Sequence, residues 1–343
     1  MMNIEKNIDI SRYSTMGLAS KSQEFTIVKN VVQLQEVVDY ATSNLLKVHV
    51  LGGGSNTIFK DGEFKGMIIK NEITGFDLTE QGLLTAGAGE DWDDIVSRAV
   101  ADNWSGIETL SLIPGTVGAA PVQNIGAYGQ ELSDCFVELK ALEISTNQFR
   151  TFSKEECMFG YRSSRFKLNP GNYIITEIKL QLNKNHLKSP FYTTLQKHLD
   201  KNKITDYSPS TIRSAVVDWR SNYLPNVAEV KTAGSFFTNP IISKEVLDNL
   251  ITKNPQLAEW PTKWYWPQAD GKYKIAAGRL AEIAGLKDWH DEETGMATWK
   301  NSALVLVNKS AKSYEDLDSF RQKYLAKIES AYGLKFDQEP VEV

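Results

Sequence analysis

Residues 112–129, LIPGTVGAAPVQNIGAYG, limit the architecture of this chain more than any other segment. Four glycines and two prolines fall within this one stretch. Proline removes a backbone donor and glycine adds conformational entropy to be lost, so neither a long helix nor a regular strand can run through it. The segment is expected to be a fixed, irregular and closely packed backbone. It could be a crossover buried in a core. It could equally be a surface on which a flat ligand approaches the main chain, with Gly115, Gly118, Ala119 and Ala120 allowing close approach. In that case Gln123 and Asn124 would supply polar contacts and Tyr128 a wall.

A second tract raises the weight of the ligand reading. The apolar run 48–51 reads as a short buried strand and leads directly into Gly52, Gly53, Gly54, Ser55 and Asn56. Successive amides in such a loop can form an anion nest, and Ser55 and Asn56 add side-chain donors. The loop has neither the lysine of a P-loop nor the GxGxxG spacing of a dinucleotide-binding turn, so a tight structural hairpin is the competing reading. Together the two tracts point to a bound nucleotide cofactor. Neither contains a histidine or cysteine, so a cofactor held there would be noncovalent.

Around these tracts the hydrophobic period is informative. Val31, Leu34, Val37, Val38 and Ala41 mark one helix face over 31–43, and acidic Asp91 opens a helix over 92–101. Short strands are expected at 67–70, 82–88, 135–145 and 173–182. Beyond a polar connection at 183–189, residues 191–207 read as an excursion. Helices follow at 210–220, 244–250 and 277–284, with a strand at 302–307. A final helix over 314–332 has Leu317, Phe320, Tyr324, Ile328 and Ala331 on its apolar face. The expected class is α+β, with two cofactor-binding lobes at 1–70 and 71–204, the second including the excursion at 187–204. A smaller α/β domain is expected at 205–330, followed by a segment at 331–343.

Composition narrows the partners. The 343 residues carry 38 Lys and Arg against 43 Asp and Glu, a formal charge of −5 that offers no broad field for nucleic acid. Two cysteines, Cys135 and Cys157, make no disulfide framework, and four histidines show no metal-ligand spacing, so no metal is expected. The mixed, charged N-terminus and the absence of a long apolar run predict a cytoplasmic protein without membrane insertion. A monomer is expected.

Chemistry requires more than a cofactor. In Phe159, Gly160, Tyr161 and Arg162, the arginine offers a permanently charged fork suited to a carboxylate, although arginines more commonly make surface ion pairs. Ser235, between Gly234 and Phe236-Phe237, could hold a hydroxyl at the border of an apolar pocket, or the four residues could form a buried turn. Glu339 and Glu342 are acids near the C-terminus, where carboxylates usually face solvent. Tyr192, Tyr223 and Asn239 are candidate substrate contacts.

Several motifs, in this order, together resemble the UDP-N-acetylenolpyruvoylglucosamine reductase family. They are Tyr13 to Gly17 (YSTMG), Gly52 to Asn56 (GGGSN), Ile113 to Gly129, Gly160-Tyr161-Arg162, Gly234-Ser235-Phe236-Phe237 and Pro267 to Gly271 (PQADG), followed by the C-terminal glutamate. The resemblance spans nearly the whole chain. It implies FAD bound by both glycine tracts, with Pro114 and Gly126 added to the cofactor contacts, and NADPH as reductant. It also implies a UDP-linked enolpyruvyl amino sugar as substrate, bound by the domain at 205–330, with the segment at 331–343 returning to the active site. NADPH would reduce FAD, and the flavin would then give hydride to substrate C3. Arg162 would stabilise charge on the carboxylate, Ser235 would protonate C2 and Glu339 would assist. Tyr192 would belong to a loop closing over substrate, as in the longer form of the family. Three departures stand out: Met16 where an aromatic is common, Tyr223 where a lysine is common, and an ending in which Glu339 is the ungapped match but Glu342 allows a second register. The alternative is another FAD-dependent oxidoreductase of this cofactor-binding fold, acting on an alcohol or sugar.

Overall fold

A computed structural model describes residues 3–60, 62–257 and 263–343. Their contacts divide the chain into two compact units. The first comprises 1–13, 20–54 and 63–222, and the second 14–19, 55–62 and 223–343.

The first unit is built on two sheets. One has the order Glu5–Asp9, Lys21–Val28, Glu63–Asn71, Val48–Leu51. Its two inner strands and the last one pair in parallel, and parallel neighbours need a crossover. The helix Val31–Ser43 provides one, capped by the Asn30 side chain on the Gln33 amide. Its Leu34, Val37, Val38 and Ala41 pack on Val28, Met67 and Ile69, together with Leu142 and Ile174 of the other sheet. Val31 is only partly buried, because it lies in the opening turn. The second sheet is antiparallel, in the order Gln148–Ser153, Phe136–Glu143, Tyr173–Gln181, Leu83–Gly87, Phe76–Leu78. The helix Trp92–Ala101 covers it through Trp92, Ile95, Val96, Ala99 and Val100.

The excursion contains the helix Thr193–Lys201, which buries Leu195 and Leu199 against Ile212, Ala215 and Val216 of the helix Pro209–Tyr223. That packing moves the division between units to Asn222, later than the expected boundary near 205. Arg213 reinforces it by a two-pronged pair with Asp93, at 2.6 and 2.9 Å.

The second unit has an antiparallel sheet in the order Thr232–Ser235, Ser302–Asn308, Met296–Trp299, His290–Asp291. The helix Tyr314–Tyr332, capped by Ser313, packs on its core through Leu317, Phe320, Tyr324 and Ile328. Ala331 is exposed; Tyr332 takes the inward place in the last turn, its hydroxyl donating to the Leu280 carbonyl at 2.9 Å. A smaller sheet joins Ile241–Ile242, Tyr273–Ile275 and Tyr265–Pro267.

Two pieces that the sequence assigned to the first lobe lie with this unit. Met16 is fully buried in the same core as Ile58, Phe236 and Phe237, and Ser14 donates to the Thr57 carbonyl at 2.6 Å. Thr57–Ile58 pairs in parallel with Val341–Glu342. Among the described residues no helix is long and apolar enough to cross a membrane.

Candidate active site

In the first unit the two glycine tracts meet backbone to backbone. A Cβ on Gly53 would stand 2.9 Å from the Gly115 Cα, and one on Gly52 would stand 2.4 Å from the Thr116 hydroxyl oxygen. Such contacts leave no room for a side chain, so glycine is required for this approach. The longer tract is pinned from behind by main-chain bonds. Trp92 N donates to Gly115 O at 3.0 Å, Val117 N to Glu90 O at 2.9 Å and Gly118 N to Ala88 O at 2.8 Å. Regular structure in it is limited to a single helical turn at Val117–Ala119 and a two-residue strand at Gly126–Ala127. Gly53, Pro114 and Ala119 are exposed, while Gly52, Gly115, Gly118, Gln123 and Gly126 are partly buried.

This surface fits FAD. A pyrophosphate needs closely approaching backbone amides rather than a net charge, and two abutting glycine segments provide them. One cation nearby escaped the sequence reading. Lys70 is the strand partner of Leu51, and its ammonium donates to the Gly52 carbonyl at 2.5 Å, with burial lowering its pKa. Its position follows from parallel register, which leaves no local motif.

The remaining candidates of this unit differ in what they touch. Asn124 is 1% exposed; its amide donates to Glu131 and the Gly160 carbonyl, and its oxygen accepts from Ser133 N. Its effect on a ligand is therefore through the shape of the loop. Tyr128 adopts a left-handed φ of 52° and meets Trp219 edge-on at 5.8 Å, and burial pushes its phenol up to about 12. Arg162, at φ 51°, donates to the Gly126 carbonyl at 2.7 Å, which ties its guanidinium to the cofactor tract. Tyr192 is 44% exposed at the start of the excursion helix. Asp93 was not foreseen: besides holding Arg213, it accepts from Leu112 N at 2.6 Å. Burial would raise its pKa, but Arg213 and the Leu112 amide outweigh burial and hold it below the usual range.

In the second unit, Ser235 ends the strand Thr232–Ser235 and is exposed, while Phe236 and Phe237 behind it are buried. Gly234 makes this possible with φ 72°, a left-handed turn that costs glycine little. The C-terminal tail runs beside this strand end. Glu339 N donates to the Phe236 carbonyl at 2.9 Å, Gln338 pairs opposite Phe237, and Thr238 N donates to the Asp337 carbonyl at 2.9 Å. Glu339 is thus bonded one residue from Ser235. Glu342 is engaged elsewhere, by Arg321, by Tyr314 Oη at 3.1 Å and by Lys60 at 3.2 Å. Burial would raise its carboxyl, but Lys60 and Arg321 hold it below its ordinary value. The two glutamates thus differ in surroundings: Glu342 lies in an ion-pair network, and the Glu339 main chain lies along the strand end that carries Ser235.

Ser55 and Asn56 are partly buried in this unit; the Asn56 carbonyl accepts from Val341 N at 2.9 Å. Asn239 Oδ1 accepts from Ala277 N at 2.9 Å, at the start of the helix Ala277–Ile283. Tyr223 is 49% exposed, with its carbonyl accepting from the Trp299 indole at 2.9 Å.

The glycine cradle suits a nucleotide cofactor, and the chain falls in the class of FAD-dependent oxidoreductases. A family described as FAD binding domain matches residues 23–150, and one described as UDP-N-acetylenolpyruvoylglucosamine reductase, C-terminal domain, matches residues 226–343. The chain is 34% identical to the UDP-N-acetylenolpyruvoylglucosamine reductase of Pseudomonas putida, over 98% of each chain. It is 33% identical to that of Chromobacterium violaceum, over 99% of each. Its fold is similar to the crystal structure of the Thermus caldophilus reductase, with a TM-score of 0.68, 22% identity and coverage of 100% of this chain and 99% of that one. This chain belongs to the UDP-N-acetylenolpyruvoylglucosamine reductase family.

Proposed function

We propose that the two units divide the NADPH-dependent reduction of UDP-N-acetylenolpyruvoylglucosamine to UDP-N-acetylmuramate. The first holds FAD on Gly52–Gly54 and the 112–129 tract, and the second holds the UDP-linked substrate. Bound FAD, once reduced by NADPH, supplies hydride to C3 of the enolpyruvyl group. Arg162 lowers the energy of the charge that then develops toward the substrate carboxylate; its planar fork suits that group. Ser235 gives a proton to C2. A serine hydroxyl is a weak acid, so an acid beside it is needed, and Glu339 is assigned that task. Tyr192, Tyr223 and Asn239 contact substrate. NADPH and a nucleotide-linked sugar are cytoplasmic compounds, which supports action there, as a monomer.

The observation that carries this reading is the main-chain bond from Glu339 to Phe236, next to Ser235. Ser235→Ala tests it. The variant should bind FAD and be reduced by NADPH as the parent is. Mixed anaerobically with substrate after reduction, it should reoxidise roughly 10²–10⁴-fold more slowly. Near-normal reoxidation with formation of product would remove Ser235 as the donor.

A further inference from the structure

Main-chain bonds hold the tail around Glu339, from Glu339 N to the Phe236 carbonyl and from Val341 N to the Asn56 carbonyl, each at 2.9 Å, and side chains add a second hold. The residues one before and three after Glu339, Gln338 and Glu342, are gripped by a single guanidinium. Arg321 Nη1 donates to Gln338 Oε1 at 2.5 Å and also to the Glu342 carboxylate. Its Nη2 reaches Tyr314 Oη at 3.3 Å and Asp318. Gln338 Nε2 in turn donates to the Pro340 carbonyl at 2.9 Å and to Glu342 at 3.2 Å, closing a small ring of bonds around Glu339 and Pro340. Tyr314, Asp318 and Arg321 stand at helical spacing of four and three on Tyr314–Tyr332, so one stripe of that helix faces the tail. Arg321 and Glu342 side chains are 20% and 21% exposed, which limits solvent competition for the pair.

We propose that Arg321 is a positioning residue for the reaction: by holding Gln338 and Glu342 it sets where the Glu339 carboxyl stands relative to Ser235. The inference rests on the acid role assigned to Glu339. Arg321 fixes the neighbours on both sides of a reacting group, and a displacement of about 1 Å there can slow a step by roughly 10²-fold.

The test is a double-mutant cycle on substrate-driven reoxidation of the prereduced holoenzyme. Arg321→Met should slow that step by roughly 10- to 100-fold while flavin reduction by NADPH stays at the parent rate. Glu339→Gln should also slow it. Adding Arg321→Met to Glu339→Gln should slow it by no more than about twofold further, because both changes act through one carboxyl. Arg321→Lys, which keeps the charge but not the fork, should recover part of the rate. A parent-like rate for Arg321→Met, or a double variant slowed by the full product of the single effects, overturns the inference. A parent-like rate for Glu339→Gln removes instead the role of Glu339 and the inference with it. Glu342→Gln serves by the same criteria if Arg321→Met does not fold.

Discussion

His49 makes the strand under the phosphate loop acid-sensitive. It lies in Val48–Leu51, opposite Ile68, three residues before Gly52. Its ring meets Phe64 at 6.3 Å, and its Nε2 is sealed from solvent without a hydrogen-bond partner. Burial, with the nearby Lys47 ammonium, lowers its pKa from 6.5 to about 4. The folded chain therefore binds fewer protons than the unfolded chain between these values. Stability from this group is complete above the unfolded pKa and is lost as pH falls toward the folded one. The linkage amounts to about 2 kcal/mol at about pH 5 and about 3 kcal/mol at about pH 4. His49→Leu removes the titration. Urea unfolding of both proteins at about pH 7.5 and about pH 5 should show the parent losing about 2 kcal/mol more than the variant between the two conditions. Equal losses would refute the argument, because the sealed imidazole would then cost nothing to protonate.

Two further changes address the cofactor surface. Gly53→Ala places a methyl 2.9 Å from the Gly115 Cα, so the loops must part; the protein should fold but hold FAD at least about tenfold more weakly, read by flavin content and titration. Asp93→Ala strips Leu112 of its acceptor and Arg213 of its partner, and should destabilise the protein by about 3 kcal/mol in urea unfolding, with unchanged stability counting against the proposed anchor.

Elements governed by local signals were legible. Val31–Ser43, Trp92–Ala101 and Tyr314–Tyr332 have the expected bounds because a capping side chain, from Asn30, Asp91 or Ser313, precedes a clear apolar period in each. The irregular character of 112–129 was also evident, since its glycines and prolines permit little else. Hidden from the sequence were features made by distant pairing. Residues 14–19 and 55–62 join the second unit through bonds such as Ala19 N to Lys312 O and Val341 N to Asn56 O, and main-chain bonds of this kind leave no trace in hydrophobic spacing. The helix at Thr193–Lys201 was read only as an excursion because just Leu195 and Leu199 are buried in it. Among the candidate residues, Arg162, Ser235 and Glu339 were singled out by motif, whereas the places of Lys70, Asp93 and Arg321 depend on strand register and helix face.

The parallel pairing of Thr57–Ile58 with Val341–Glu342 has a consequence for biosynthesis. Asn56 and Glu339, neighbours in this arrangement, are 283 positions apart. A ribosome releases the early strand long before its mate exists, so Thr57–Ile58 must wait for Val341–Glu342 while the residues between them are made. Closing so distant a contact is entropically slow. The core around Ile58 and Phe336 therefore sets only after elongation has passed Phe336, with Glu339 three residues further on. The second unit would thus be completed only once residues 336–343 are made, while the glycine tracts, both of which precede residue 130, can come together earlier.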